Sequence, residues 1–131
     1  TAFLKTLPAR AVVVDIGAGD GSLSTFRAWP EPARHDLRLY AYSLEKGAHF
    51  DAFDGYETGD WNLARPVFDG LSFDGIVSAH FIEHIDDAGT FVDWAAERLA
   101  VGGRAYVEWP SPASLDLPPL SELHDAGVPL R

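Results

Sequence analysis

The chain has 131 residues, 47% hydrophobic and 23% charged, which suits one soluble globular domain around a single core and excludes a disordered chain. It has no cysteine, which excludes disulfides and thiolate metal sites and suits a cytoplasmic setting. With 20 Asp and Glu against 10 Lys and Arg, the formal charge is −10; such a field repels polyanions, so nucleic acid is not expected as a partner, and the apolar runs are too short to imply a membrane span.

Residues Ala11–Ile16 (AVVVDI) form a short, β-branched apolar run, the pattern of a parallel strand covered on both faces. It leads directly into Gly17, Gly19 and Gly21. Ser22–Trp29 reads as a short helix ended by Pro30, and Leu37–Leu44 as a second strand. Between Glu45 and Gly70 the pattern is poor, with a brief third strand expected around Tyr56–Thr58. Phe73–Ala79 reads as a fourth strand. Asp86–Ala100 reads as a helix with Phe91, Trp94, Ala95 and Leu99 on one face, two acids at its positive end and Gly102-Gly103 as its stop. Arg104–Trp109 is a fifth strand closed by Pro110, followed by a Pro-rich stretch, 111–131, of little periodicity. Alternating strands and helices imply an α/β fold with a mainly parallel sheet, whose ligands sit at the carboxyl ends of the strands.

The glycine turn is the first of those ends. Glycine permits positive φ and close approach of a ligand to the backbone. The spacing departs from the dinucleotide fingerprint Gly-x-Gly-x-x-Gly, because the third glycine comes one residue early and Ser22 holds the spaced position. Asp15 and Asp20 flank the turn, and it has no Lys or Arg. A diphosphate there would face two carboxylates with only a helix N-terminus to offset them. A ligand carrying an ammonium and a sulfonium fits better. The alternative is a tight strand–helix turn with no ligand.

VVVDIGAGDGS resembles the first motif of class I S-adenosylmethionine-dependent methyltransferases, and FDGIVSAHFIEHI with WAAERLAVGGRAYVEWP resembles their fourth strand through fifth strand. The resemblance runs from Arg10 to about Pro110. It implies a three-layer Rossmann-like sandwich, a single cofactor-binding core over 1–131, S-adenosylmethionine as cofactor and a small-molecule acceptor. It also implies cofactor contacts at Asp15, Gly17, Gly19 and Ala79, an adenine contact at Asp60 and a flanking aromatic at Trp61. The acid that such proteins place at the end of the second strand is replaced by Ser43, so the ribose role passes to Glu45, whose alternative is an exposed helix-start acid. Asp60 and Trp61 have their own alternatives, a turn residue and a core aromatic. Related folds add a helix and an antiparallel strand pair after the fifth strand. The Pro-rich segment shows no sign of that pair, so the chain is expected to be C-terminally shortened or to present its fifth strand as an open edge.

His80-Phe-Ile-Glu83-His84 falls where acceptor and methyl group would meet. It matches the letters of a zinc-protease motif, which needs a long helix where this chain has a strand end. It is similar to the Glu-x-x-Glu-His of quinone-pathway O-methyltransferases, which can hold a divalent ion; a structural Glu-His pair with no metal is the preferred reading. His80 is the candidate general base, with a pocket-lining histidine as the alternative. No Asn/Asp-Pro-Pro-aromatic segment follows the fourth strand, which disfavours amino groups of bases or glutamine as acceptors. Besides an active methyltransferase, the sequence leaves open a non-catalytic binding or assembly domain and a nicotinamide-dependent oxidoreductase; the glycine spacing and loop charge disfavour the last. Oligomeric state is not legible.

Overall fold

A computed structural model describes residues 2–29 and 31–109. The elements are α1 (Ala2–Lys5), β1 (Val12–Ile16), α2 (Leu23–Phe26), β2 (Arg38–Ser43), β3 (Gly55–Thr58), β4 (Phe73–Ala79), α3 (Ala88–Arg98) and β5 (Leu99–Glu108), with 3-10 turns at Phe50–Ala52 and Ile82–His84. All strand pairings are parallel, in the order β3-β2-β1-β4-β5. The chain therefore builds outward from β1 through β2 to β3, then returns to β1's other side for β4 and β5. Right-handed crossovers on a sheet that reverses direction must lie on opposite faces. The core divides accordingly. Alternation along β1 and β2 sends Val13, Leu39 and Ala41 to one face, with Leu23, Phe50 and Phe53. It sends Val14, Ile16, Tyr40 and Tyr42 to the other, with Trp61, Phe91 and Trp94.

This is the expected α/β, Rossmann-like arrangement, with differences in the helices. The helix expected over Ser22–Trp29 is a single turn, so it carries little of the dipole that a diphosphate would need. The helix expected over Asp86–Ala100 runs only from Ala88 to Arg98, capped by the Asp87 side chain, which accepts from the Gly89 N–H. Its stop is not Gly102-Gly103. Leu99 is already extended and pairs with Phe73, while Gly75 pairs with Arg104, so the two glycines sit inside β5 where the register jumps. Gly102 takes φ +79, and a Cβ on Gly103 would lie 2.8 Å from the Phe73 carbonyl oxygen, which explains why glycines occupy the irregularity. β5 thus begins at Leu99 rather than Arg104.

Acids also serve the fold. Asp74 Oδ2 accepts from the Val12 N–H, Asp54 Oδ2 from Leu39 and Asp36 Oδ2 from Arg10, fastening neighbouring segments where β1 and β2 begin. Arg34, nearly buried, donates to the carbonyls of Leu4, Leu7 and Pro8 and to Asp36, which ties the first ten residues to the sheet. Among the described residues, no helix is long and apolar enough to cross a membrane. The Pro-rich 111–131 segment lies outside the described residues.

Candidate functional site

Four strand ends meet around a cavity of about 410 Å³. β1 contributes Gly17 and Gly19, β2 contributes Tyr42, Ser43 and Leu44, the β3 loop contributes Gly59 to Asn62, and the β4 loop contributes His80, Phe81, His84 and Ile85. A second cavity, of about 280 Å³, opens on the α1/α2 side and shares Gly17 with the first. Asp15, Ala18 and Ser22 line it beside Ala79 of β4, Tyr106 and Glu108 of β5, and an apolar wall that includes Phe3, Leu23 and Phe26.

The glycine turn owes its shape to packing as well as torsion. Gly17, Gly19 and Gly21 all have positive φ. A Cβ at Gly17 would sit 2.7 Å from the Phe81 ring, whereas one at Gly19 would meet nothing within 4 Å. The loop after β2 presses on the same turn: a Cβ at Gly47 would lie 2.3 Å from the Gly19 carbonyl oxygen, and the His49 N–H donates to the Asp20 carbonyl. The Gly17 and Ala18 N–H groups both donate to the Tyr42 carbonyl, at 2.8 and 2.9 Å. The N–H groups of Gly19 and Asp20 donate to no protein acceptor among the described residues.

Asp15 is 9% exposed and its carboxylate makes no hydrogen bond with the described residues. Burial, reinforced by Asp20, pushes its pKa up to about 7. Asp20 itself accepts from the Ser22 N–H. Neither cavity has a Lys or Arg in its described lining.

The other sequence-derived positions fall as follows. Asp60 is exposed at the rim of the first cavity, with Oδ1 accepting from the Asn62 N–H. Trp61 lines that cavity yet is 3% exposed, packed against Tyr42, Phe81, Phe91 and Trp94 with its indole N–H donating to Thr90. Ser43 lines the first cavity, whereas Glu45 is exposed and lines neither. Ala79 faces the second cavity with Asp15.

His80 sits in the left-handed region, φ 57, with its N–H donating to the Glu108 carbonyl at 2.8 Å. Its Nδ1 lies 3.6 Å from Glu83 Oε2 and its Nε2 3.9 Å from Glu108 Oε1. A strained non-glycine conformation beside a cleft is a feature of functional sites. Among the described residues, no group of three or more His, Asp or Glu is disposed to hold a metal ion.

Sequence reasoning missed several residues. Asn62 Oδ1 accepts from the Asp86 N–H and bridges the β3 and β4 loops. Phe81 fills the space that Gly17 leaves. The Tyr42 hydroxyl is buried without a hydrogen-bond partner among the described residues, and its pKa is raised by burial first and then by Asp60 and Glu57. Glu108 accepts from the Tyr106 hydroxyl. Only Glu108 had a usable signal, since it ends a strand as the other site residues do.

Comparisons with known proteins agree with this arrangement. A Haloferax volcanii protein solved in complex with the Trm112 methyltransferase activator superposes with TM-score 0.59 at 21% identity, over 79% of this chain and 48% of that one. The plantazolicin methyltransferase solved with SAH gives TM-score 0.68 at 13% identity, over 95% and 48%. A SAM-dependent methyltransferase from Thiobacillus denitrificans, solved with S-adenosyl-L-homocysteine, gives 0.56 at 16%, over 80% and 44%. At these identities the likeness shows the fold, and the chain spans about half the length of these neighbours or less. No curated protein matches the chain. The methyltransferase domain family matches residues 1–126, and with nearly the whole length covered, the chain belongs to that family.

Proposed function

We propose that the chain binds S-adenosylmethionine and transfers its methyl group to a small-molecule acceptor in the cytoplasm. The observation that carries this reading is the glycine turn with its nine-tenths buried Asp15, unpartnered among the described residues, and no Lys or Arg among the described residues of either cavity. The residues fit the ligand's charges. The N–H groups of Gly19 and Asp20 suit its carboxylate, Asp15 its ammonium, and the first cavity its nucleoside, with Asp60 and Ser43 as polar partners. Glu45, the residue to which the ribose role passed, is exposed and lines neither cavity.

When bound, the cofactor supplies a methyl group on a sulfonium, already an activated leaving group. The chain's own work is to align the acceptor, exclude water and accept a proton. His80, at the end of β4 with its N–H on the Glu108 carbonyl of β5, supports the last role. A His80→Ala variant should keep its affinity for S-adenosylhomocysteine and lose 10²-fold or more of turnover, on the order expected for a general base.

The position of Ser43 and Glu45 favours a second reading, a binding module that holds the nucleoside weakly and works through a protein partner. The Trm112 complex of the Haloferax protein is a precedent for partnership in a similar fold. Calorimetry with S-adenosylmethionine, S-adenosylhomocysteine and NAD tests the cofactor. Binding of the first two supports the proposal, and binding of NAD alone overturns it. Release of S-adenosylhomocysteine during acceptor screening separates the enzyme from the module.

A further inference from the structure

The second cavity is lined by two carboxylates, Asp15 and Glu108. Asp15 ends β1 and Glu108 ends β5, with β4 between them. Neighbouring strands lie about 4.8 Å apart, so the two carboxylates stand on strands roughly 10 Å apart. An ammonium pairs with a carboxylate at about 3 Å. A cofactor ammonium seated on Asp15 leaves Glu108 to its bond from the Tyr106 hydroxyl and to a second cation. No Lys or Arg lines the cavity among the described residues, and the rest of its wall is largely apolar, with Phe3, Leu23, Phe26 and Val77.

We propose that this cavity admits the methyl acceptor and that the acceptor is an amine on a compact apolar body, its nitrogen held by Glu108. The inference rests on the cofactor reading above. Two groups set the nitrogen's surroundings. The Tyr106 hydroxyl donates to Glu108 Oε2 and orients the carboxylate. His80 lines the first cavity rather than this one, but its Nε2 lies 3.9 Å from Glu108 Oε1, beyond hydrogen-bond length and near enough to take the amine's proton across Glu108. Glu83 and His84 are the other titratable groups around His80.

The transfer balances as follows. The ammonium gives one proton to His80, and the freed lone pair forms the N–C bond to the methyl carbon. The C–S bond breaks as this happens and its electron pair goes to sulfur, which becomes a neutral thioether. The product is an ammonium with one more methyl group, and His80 carries the released proton.

The test uses the full chain saturated with S-adenosylhomocysteine and three probes of one shape: 2-phenylethylamine, 2-phenylethanol and 3-phenylpropanoate. Calorimetry should find the amine at least tenfold tighter than the alcohol, with the carboxylate not bound. Glu108→Gln, which still accepts from Tyr106, should abolish that preference and leave S-adenosylhomocysteine affinity unchanged. Equal binding of amine and alcohol, survival of the preference in Glu108→Gln, or competition between amine and S-adenosylhomocysteine would each overturn the proposal. Failure of S-adenosylhomocysteine to bind is a separate result that overturns the cofactor reading together with this one.

Discussion

At the scale of single residues, the glycine turn separates two demands that its sequence merges. Gly17 and Gly19 both have positive φ, yet only Gly17 is pressed by a side chain. Alanine at Gly19 pays left-handed strain alone, about 1 kcal/mol. Alanine at Gly17 pays the same strain and must also move the Phe81 ring, so Gly17→Ala should cost at least 1 kcal/mol more in chemical denaturation. In a Phe81→Ala background the two alanine substitutions should cost nearly the same. A Gly17 penalty unchanged by removal of Phe81 would place the constraint elsewhere. The need for glycine was legible in the sequence, but the reason was not, because Phe81 lies more than sixty positions away and its arrival depends on how β4 ends.

At the scale of elements, β4 is legible to the residue, while the start of β5 and the ends of the helices are not. β4 was expected over Phe73–Ala79 and occupies those residues. It pairs Gly75, Ile76 and Val77 with Val13, Val14 and Asp15 of β1. α3 overran in the sequence reading because Leu99 continues the helical spacing of Phe91 and Ala95, and because Gly-Gly is a plausible helix stop. Pairing of Leu99 with Phe73 overrides that local signal, a tertiary contact prevailing over propensity. Trp61 poses a similar problem, since one side chain serves the cavity wall and the core. Its indole N–H reaches Thr90 on α3 at 2.9 Å and fixes the β3 loop to that helix. Thr90→Val keeps the shape and strands a buried donor, which should cost about 1–3 kcal/mol. In a Trp61→Phe background, which has no donor, the same substitution should cost markedly less. Equal costs in the two backgrounds, read from a double-mutant cycle, would show that the bond contributes nothing to docking of the loop.

For the whole molecule, the acidity reads differently once the fold is known. The bland sequence expectation is a solvated surface, but Asp36, Asp54 and Asp74 brace backbone N–H groups, and Asp15 is nine-tenths buried against the second cavity with no hydrogen-bond partner among the described residues. That burial couples ligand binding to the stability of the whole chain. Asp15 has its pKa raised from 3.8 to about 7 by the fold. Between those values the folded chain keeps a proton that the unfolded chain has released, so this group's contribution to stability falls as pH rises from about 4 to 7 and then levels off. The total is on the order of a few kcal/mol. Asp15→Asn should therefore be more stable than the parent at pH 8, with the gap shrinking toward pH 4. An ammonium seated on Asp15 reverses the penalty, because it requires the ionised carboxylate. S-adenosylhomocysteine should accordingly raise the melting temperature more at pH 8 than at pH 5, and in Asp15→Asn the increment should be smaller and flat with pH. A parent increment equally flat across that range would mean that the ligand's ammonium lies away from Asp15, and the charge-based assignment of the turn would fall with it.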